Sequence, residues 1–299
     1  MKTRIISAAV AIVLLAGVMY LGSTAVGLAI FTLALIGIHE FYKALEKSGY
    51  KPVYALGYLS CLALLYPIVL RLVEAGMKAM LRGTRASAGG MNALIIGMSA
   101  LIGGNTLEIA AMFVFTLIVV LFCIMMFSNG RYSLTDIALT LFGMVYVVFL
   151  FSFVTLTRNM EKGYLYIWLI FIGAWATDTF AYFTGVAIGK TKILPKISPK
   201  KSLEGCIGGV VGCMLAMLLF GLYFYDVLKI PLLHFAILGL FCGVISQIGD
   251  WSASAVKRAA GIKDYGSIMP GHGGVLDRLD SILFVAPVVY FYIKLVFLG

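Results

Sequence analysis

Charged residues make up only 12% of this 299-residue chain, about half the share that a soluble globular domain carries. That shortage excludes a water-soluble fold. Cysteines are few as well. The five (Cys61, Cys123, Cys206, Cys213, Cys242) are scattered in or beside apolar segments and form no CxxC pair. They read as small apolar fillers, not as disulfides or metal ligands. Of three histidines, His234 stands alone near the start of an apolar run and reads as an interfacial or helix-contact residue. No nucleophile–histidine–acid triad is apparent. There is no clear internal repeat and no low-complexity linker. Acidic residues are outnumbered 13 to 23 by Lys and Arg, a formal net charge of +10. In a soluble protein that excess would suit nucleic acid. Here it reflects loops that face anionic headgroups and an anionic substrate, with no nucleic-acid partner.

What the chain has in abundance is apolar length: 62% hydrophobic residues and a mean hydropathy of +1.04. Met1-Lys2-Thr3-Arg4 and the run behind it resemble a signal peptide, but a second apolar run follows at once, so an uncleaved first span is expected. Runs long enough to span lie near 5–22, 24–45, 53–74, 106–127, 135–157, 164–188, 207–225, 231–252 and 279–298. The run from Met91 to Gly103 is too short to cross upright, since crossing takes about 17–25 residues. It is expected as a partial or re-entrant helix, after a basic loop over Met77–Arg85. The expected fold is an all-α polytopic membrane protein of about nine transmembrane helices, with cytoplasmic catalytic loops and the C-terminus outside. Ten spans place the same loops inside, and span length favours nine. Residues 1–130 form the less charged scaffold and offer a surface for a homodimer contact. Residues 131–299 carry the unusual chemistry.

That chemistry is densest in SAVKRAAGIKDYGSIMPGHGGVLDRLDS, Ser254 to Ser281. Four of the seven aspartates, Asp250, Asp264, Asp277 and Asp280, lie in it or just before it, with Lys257, Arg258, Lys263, Arg278 and His272. Charge at this density beside membrane spans is costly and points to a purpose. Aspartates offer hard oxygen ligands for Mg²⁺; lysine and arginine neutralise phosphate. The glycines Gly271, Gly273 and Gly274 let backbone N–H groups approach an anion. Asp277, Asp280 and Ser281 fall at i, i+3 and i+4, on one face of the helix beginning there. A solvated loop with helix-capping aspartates explains any one of these residues but not the set.

Other polar residues stand inside apolar runs. Asp178 lies deep in one, and Asp178, Tyr182, Gly185 and Gly189 form a helical stripe of an acid, a hydroxyl and two glycines. The acid must face the protein interior and the glycines allow close helix contact. A purely structural hydrogen-bonding Asp is the alternative. Gln247, Asp250 and Ser254 share a face at the end of the eighth run, where Asp250 could join Asp277 and Asp280 around one metal centre. His39-Glu40 sits late in the second run, close enough to the surface for Glu40 to pair with Lys43 or reach water.

The spaced pattern Ser254-x-Val256-Lys257-Arg258, Lys263-Asp264, Pro270-x-His272-Gly273-Gly274-Val275-x-Asp277-Arg278-Leu279-Asp280 resembles the signature of the phosphatidate cytidylyltransferase (CDP-diacylglycerol synthase) family. Met269 stands where Leu, Ile or Phe is usual. The basic loop Ser198-Pro199-Lys200-Lys201-Ser202-Leu203-Glu204-Gly205 is similar to a second block of that family, with Ser202-Leu203 in place of Thr-Trp. Without the resemblance it reads as a positive-inside loop. The resemblance implies that CTP (or dCTP) and phosphatidic acid give CDP-diacylglycerol and pyrophosphate in a bacterial inner membrane. It implies Asp250, Asp277 and Asp280 as Mg²⁺ ligands, with a monovalent cation such as K⁺ as a second ion. Lys257, Arg258, Lys263 and Arg278 would hold phosphates. The Gly271–Gly274 turn and His272 would contact the triphosphate, and Lys200, Lys201, Ser202 and Glu204 would line the nucleotide site with Asp178. Asp264 either orients a lysine or reads the nucleotide. Two rivals share parts of this pattern: a CTP-dependent polyprenol or phytol kinase, and a secondary transporter, which intramembrane Asp178 and the glycine-rich helices would suit but which the location of most of the charge at helix ends disfavours.

Overall fold

Apolar runs of about twenty residues leave the backbone no partner but itself, so they coil into helices. The computed structural model describes residues 13–69, 71, 73, 106–268 and 273–297. In chain order the helices are α1 (Ser23–Lys47), α2 (Tyr54–Cys61), α3 (Thr106–Phe127), α4 (Leu134–Arg158), α5 (Gly163–Ile188), α6 (Leu203–Tyr223), α7 (Leu232–Ala259) and α8 (Leu276–Phe297). Among the described residues no β-strand forms; there is one isolated antiparallel bridge, between Lys192 and Ser202.

Six of these helices, α1 and α4 to α8, are long and apolar enough to cross a membrane. The protein is an integral membrane protein of all-α architecture. The expected spans 53–74 and 106–127 coincide with shorter apolar stretches, Tyr54–Val69 and Val114–Phe127. The first expected span is described only from residue 13, and the short Met91–Gly103 run and the Met77–Arg85 loop lie outside the described residues.

The chain divides into two compact units, Met1–Leu65 with Thr140–Gly299, and Tyr66–Leu139. In the second unit, α3 gives way to a turn with Asn129 and Gly130 at positive φ. There Ser133 and Asp136 cap each other: the Asp136 carboxylate accepts the Ser133 N–H and hydroxyl, both at 2.8 Å. This reciprocal pair starts α4.

In the first unit, small residues set the packing. Lipid offers no hydrophobic drive between helices, so close van der Waals contact decides which faces meet. Gly205 and Gly209 of α6 lie against Ala181 and Thr177 of α5, where an added Cβ would stand 2.9 and 3.0 Å from their carbonyl oxygens. Gly239 and Gly243 of α7 press on the α6 backbone, with Cβ positions 2.6 Å from Met214 Cα and 2.8 Å from Val210 Cα. Tyr42 of α1 braces the polar end. It is fully buried, its hydroxyl donates to the Thr140 carbonyl at 2.8 Å, and the Thr140 hydroxyl accepts the Val53 N–H at 2.9 Å. Chain direction alternates through α4 to α8. The C-terminal ends of α5 and α7 lead into the N-terminal ends of α6 and α8, the C-terminal half of α1 reaches the start of α8, and the polar residues gather there.

Candidate active site at the polar end of the bundle

The α7–α8 connection is built by helix-end chemistry. Gly261, at φ +65°, follows the last turn of α7. Its N–H donates to the Arg258 carbonyl at 3.1 Å, and the Ile262 N–H reaches the Lys257 carbonyl at 2.9 Å. Those two bonds define a Schellman stop, and Arg258 adds a guanidinium bond to the Ile262 carbonyl at 3.1 Å. Lys263 and Asp264 follow on the exposed surface. Tyr265 then turns inward. It is buried, packs its ring 6.4 Å from that of Phe41 on α1, and donates its hydroxyl to the Ala253 carbonyl at 3.4 Å.

Asp277 ties the connection to both helices. One carboxylate oxygen pairs with Lys257 at 2.8 Å. The other accepts the N–H groups of Tyr265 at 2.8 Å and Gly274 at 2.9 Å. Lys257 also lies 5.4 Å from the centre of the Tyr265 ring. Gly273 has φ +88°, and a Cβ there would stand 2.9 Å from the Asp277 carboxylate, so no larger residue fits this turn without strain.

A second set of charges comes from three helices and one loop. Asp178 (α5), Asp250 (α7) and Asp280 (α8) act on one another electrostatically, and Lys201, Lys257 and Arg278 are the cations acting on them. Lys201 forms an ion pair with Asp250. Burial draws the Lys201 ammonium down, but the Asp250 carboxylate outweighs that and holds it above its ordinary value. Asp280 is buried and accepts the Ser281 N–H at 2.8 Å. Asp178 is solvent-accessible, and Asp250, Lys201 and Arg278 of other elements act on its carboxylate. Around these acids, Ser246 Oγ, Gln247 Oε1 and Trp251 Nε1 of α7 and Ser281 Oγ of α8 are buried without a protein hydrogen-bond partner.

Several expected site residues have architectural contacts. Ser202 caps α6, accepting the Gly205 N–H at 3.2 Å. Glu204 accepts the N–H groups of Lys190 at 3.0 Å and Thr191 at 3.2 Å, which closes the α5–α6 loop. Gly185 and Gly189 of the Asp178 stripe face Ser202, whereas Tyr182 points outward and is 66% exposed. Lys200 is exposed. Gly271 and His272 lie outside the described residues.

Among the described residues, no group of three or more His, Cys, Asp or Glu side chains is gathered closely enough to hold a metal ion by itself. Two residues outside the expected set do contribute: Tyr265, a lone aromatic in a polar loop, and Glu40, a lone acid in an apolar run. Glu40 is buried and accepts the N–H groups of Val275 and Leu276, each at 3.0 Å.

This arrangement can bind and neutralise phosphorylated ligands at the end of a membrane bundle. Residues 2–296 match the model of the cytidylyltransferase family. The chain belongs to that family. Similar cytidylyltransferases include the phosphatidate cytidylyltransferase of Staphylococcus haemolyticus, 32% identical over 97% of both chains. The phosphatidate cytidylyltransferase of Bacillus subtilis is 38% identical over 56% of this chain and 62% of its own length. That of Thermotoga maritima is 41% identical over 51% of this chain and 57% of its own. The last two alignments thus span little more than half of those relatives, while the first runs nearly end to end.

Proposed function

We propose that this protein transfers the cytidylyl group of CTP to phosphatidic acid, releasing pyrophosphate and leaving CDP-diacylglycerol in the membrane. The observation that carries the reading is the convergence of the family's signature residues, from α5, α7, α8 and the loop before α6, on one polar end of a membrane-embedded bundle. A phosphate oxygen of the lipid attacks the α-phosphorus of CTP in line. The new P–O bond joins lipid and nucleotide, and the bond to the β-phosphate oxygen breaks. The lipid phosphate is already ionised near neutral pH, so no side-chain nucleophile is needed.

The protein's task is to hold two anions together and stabilise charge on the leaving group. Lys201, Lys257 and Arg278 face the cleft acids, and exposed Lys263 reaches ligand from outside. Lys200 and Arg258 extend the basic rim, and the Gly273–Gly274 backbone faces the triphosphate. Asp264 either orients Lys263 or reads the nucleotide. Ser202 and Glu204 shape the loop that presents Lys201.

Mg²⁺ commonly takes one or two carboxylates and fills its sphere with water and substrate phosphate. Asp250 and Asp280, with the unsatisfied polar atoms of Ser246 and Gln247 within one helical turn of Asp250 and of Ser281 next to Asp280, fit that requirement. Asp277, the third acid expected from sequence, stands beside them and already holds Lys257 and the turn, so Asp250 and Asp280 are the first candidates as ligands. When bound, the ion supplies a charge clamp and a Lewis acid. The excess of Lys and Arg at this end supports a cytoplasmic setting, and nine spans with the N-terminus inside would keep both basic loops there. Phosphatidic acid then enters sideways from the inner leaflet while CTP arrives from water.

The test is two parallel incubations of purified protein with phosphatidic acid, Mg²⁺, and CTP labelled at either the α- or the γ-phosphorus. The α-label is expected to enter the organic phase and the γ-label to appear as pyrophosphate. A lipid labelled from the γ-position would instead identify a CTP-dependent lipid kinase.

A further inference from the structure

We infer that Glu40, on the first described span, is a positioning residue for the active site: it clamps the segment that leads into α8. The inference rests on the transfer reaction above and adds to it a residue far away in sequence. Its two oxygens accept separate backbone N–H groups, Val275 and Leu276, at 3.0 Å each. These are donors at the start of α8 (Leu276–Phe297), where a helix leaves N–H groups unsatisfied and favours a negative charge. The first turn of α8 carries Asp277 and Arg278, and Asp280 follows just beyond it, so whatever fixes the start of α8 bears on three charges of the site.

The surroundings are shaped for a carboxylate and for little else. Glu40 is 2% exposed. A Cβ on Gly274 would lie within 2.6 Å of its carboxylate carbon and both oxygens, and one on Gly266 would overlap the same group. Two glycines on opposite sides of the turn thus leave room for one acid that reaches across from α1. Neighbouring contacts keep that acid in place: Phe41 packs on Tyr265, and Gly37, one turn back, receives Leu276 against its open face. An acid that merely paired with Lys43 at the surface would show none of this.

Glu40→Gln keeps the shape and one acceptor but turns an amide N–H toward a backbone N–H, so one of the two bonds is lost. Two measurements decide the matter. Hydrogen–deuterium exchange of full-length protein in detergent is expected to show faster exchange over 263–276 in Glu40→Gln, with α5 and α6 unchanged. Steady-state kinetics are expected to show kcat at least tenfold lower and a raised KM for CTP, because the turn held by Glu40 faces the triphosphate, while the KM for phosphatidic acid is preserved. Gly274→Ala, which displaces the same carboxylate, is expected to give the same kinetic split. Wild-type exchange over 263–276, or wild-type kinetics, in Glu40→Gln would overturn the proposal; so would an equal loss for both substrates with raised exchange throughout the chain. If wild-type protein itself moves no α-label into lipid, the transfer reaction fails, and the exchange experiment still decides whether Glu40 holds the turn.

Discussion

Asp277 and Asp280 stand three residues apart and have different surroundings. Asp280 feels the charges of Asp250 and Asp178, the acids near the ion site proposed above. Asp277 is bound on both oxygens to groups of its own chain. Its ion pair with Lys257 is enclosed, at 3% and 11% side-chain exposure. Removing one partner of such a pair strands a buried charge, which costs about 3–5 kcal/mol. Asp277→Asn keeps the volume but gives up one acceptor. The nitrogen must face either the Lys257 ammonium or two backbone N–H groups, a clash of donors in both cases. Activity is therefore expected to fall about 10²–10³-fold, the scale of losing one aimed charge-stabilising group, in a protein that still extracts as a folded species with a lowered thermal midpoint. An Asp277→Asn variant with wild-type turnover and wild-type stability would remove this residue from the account.

At the scale of helices, hydropathy located the six helices long and apolar enough to cross a membrane and misjudged their ends. The runs expected at 207–225, 231–252 and 279–298 became Leu203–Tyr223, Leu232–Ala259 and Leu276–Phe297. The misjudged edges are the ones at the polar end. An apolar-run criterion stops where polarity begins, whereas the helix stops where its caps lie: Ser202 before α6, Gly261 after α7. Glu204, Lys257, Arg258 and Asp277 all sit in those polar extensions, so the site is built on rigid helix ends rather than on loops alone. The Asp178 stripe was legible because a lone acid in an apolar run is conspicuous, although Tyr182 turned outward. The pairing of α6 with α7 through Gly239 and Gly243 was not legible, since a glycine in a span has no signature that names its neighbour. That pairing brings the loop bearing Lys201 to Asp250. Gly243→Leu is expected to force α6 from α7, cost about 1–3 kcal/mol in stability as overpacking does, and lower activity more than tenfold. Thermal unfolding in detergent alongside the label-transfer assay checks both. Unchanged values in the two assays would mean that the helices do not need this contact.

For the molecule as a whole, the first half of the chain is more than a scaffold. Glu40, Phe41 and Tyr42 of α1 reach, in turn, the start of α8, the Tyr265 loop and the Thr140 carbonyl of α4. The polar end of the bundle is thus assembled from both halves of the sequence, and no fragment limited to residues 131–299 contains all of these contacts. The alternation of helix direction gathers acids from α5, α7 and α8 at one membrane face, and the central claim is that Asp250 and Asp280 serve one ion there together with CTP. Manganese, a paramagnetic stand-in for Mg²⁺, tests this directly. Purified protein is titrated with Mn²⁺ in the presence of CTP, and electron paramagnetic resonance reads the free ion. The account predicts a protein-dependent bound Mn²⁺ whose affinity drops at least tenfold in Asp250→Asn and in Asp280→Asn alike. If either variant, folded, held the ion as tightly as the unaltered protein, the two carboxylates would not share a site and the account would be contradicted.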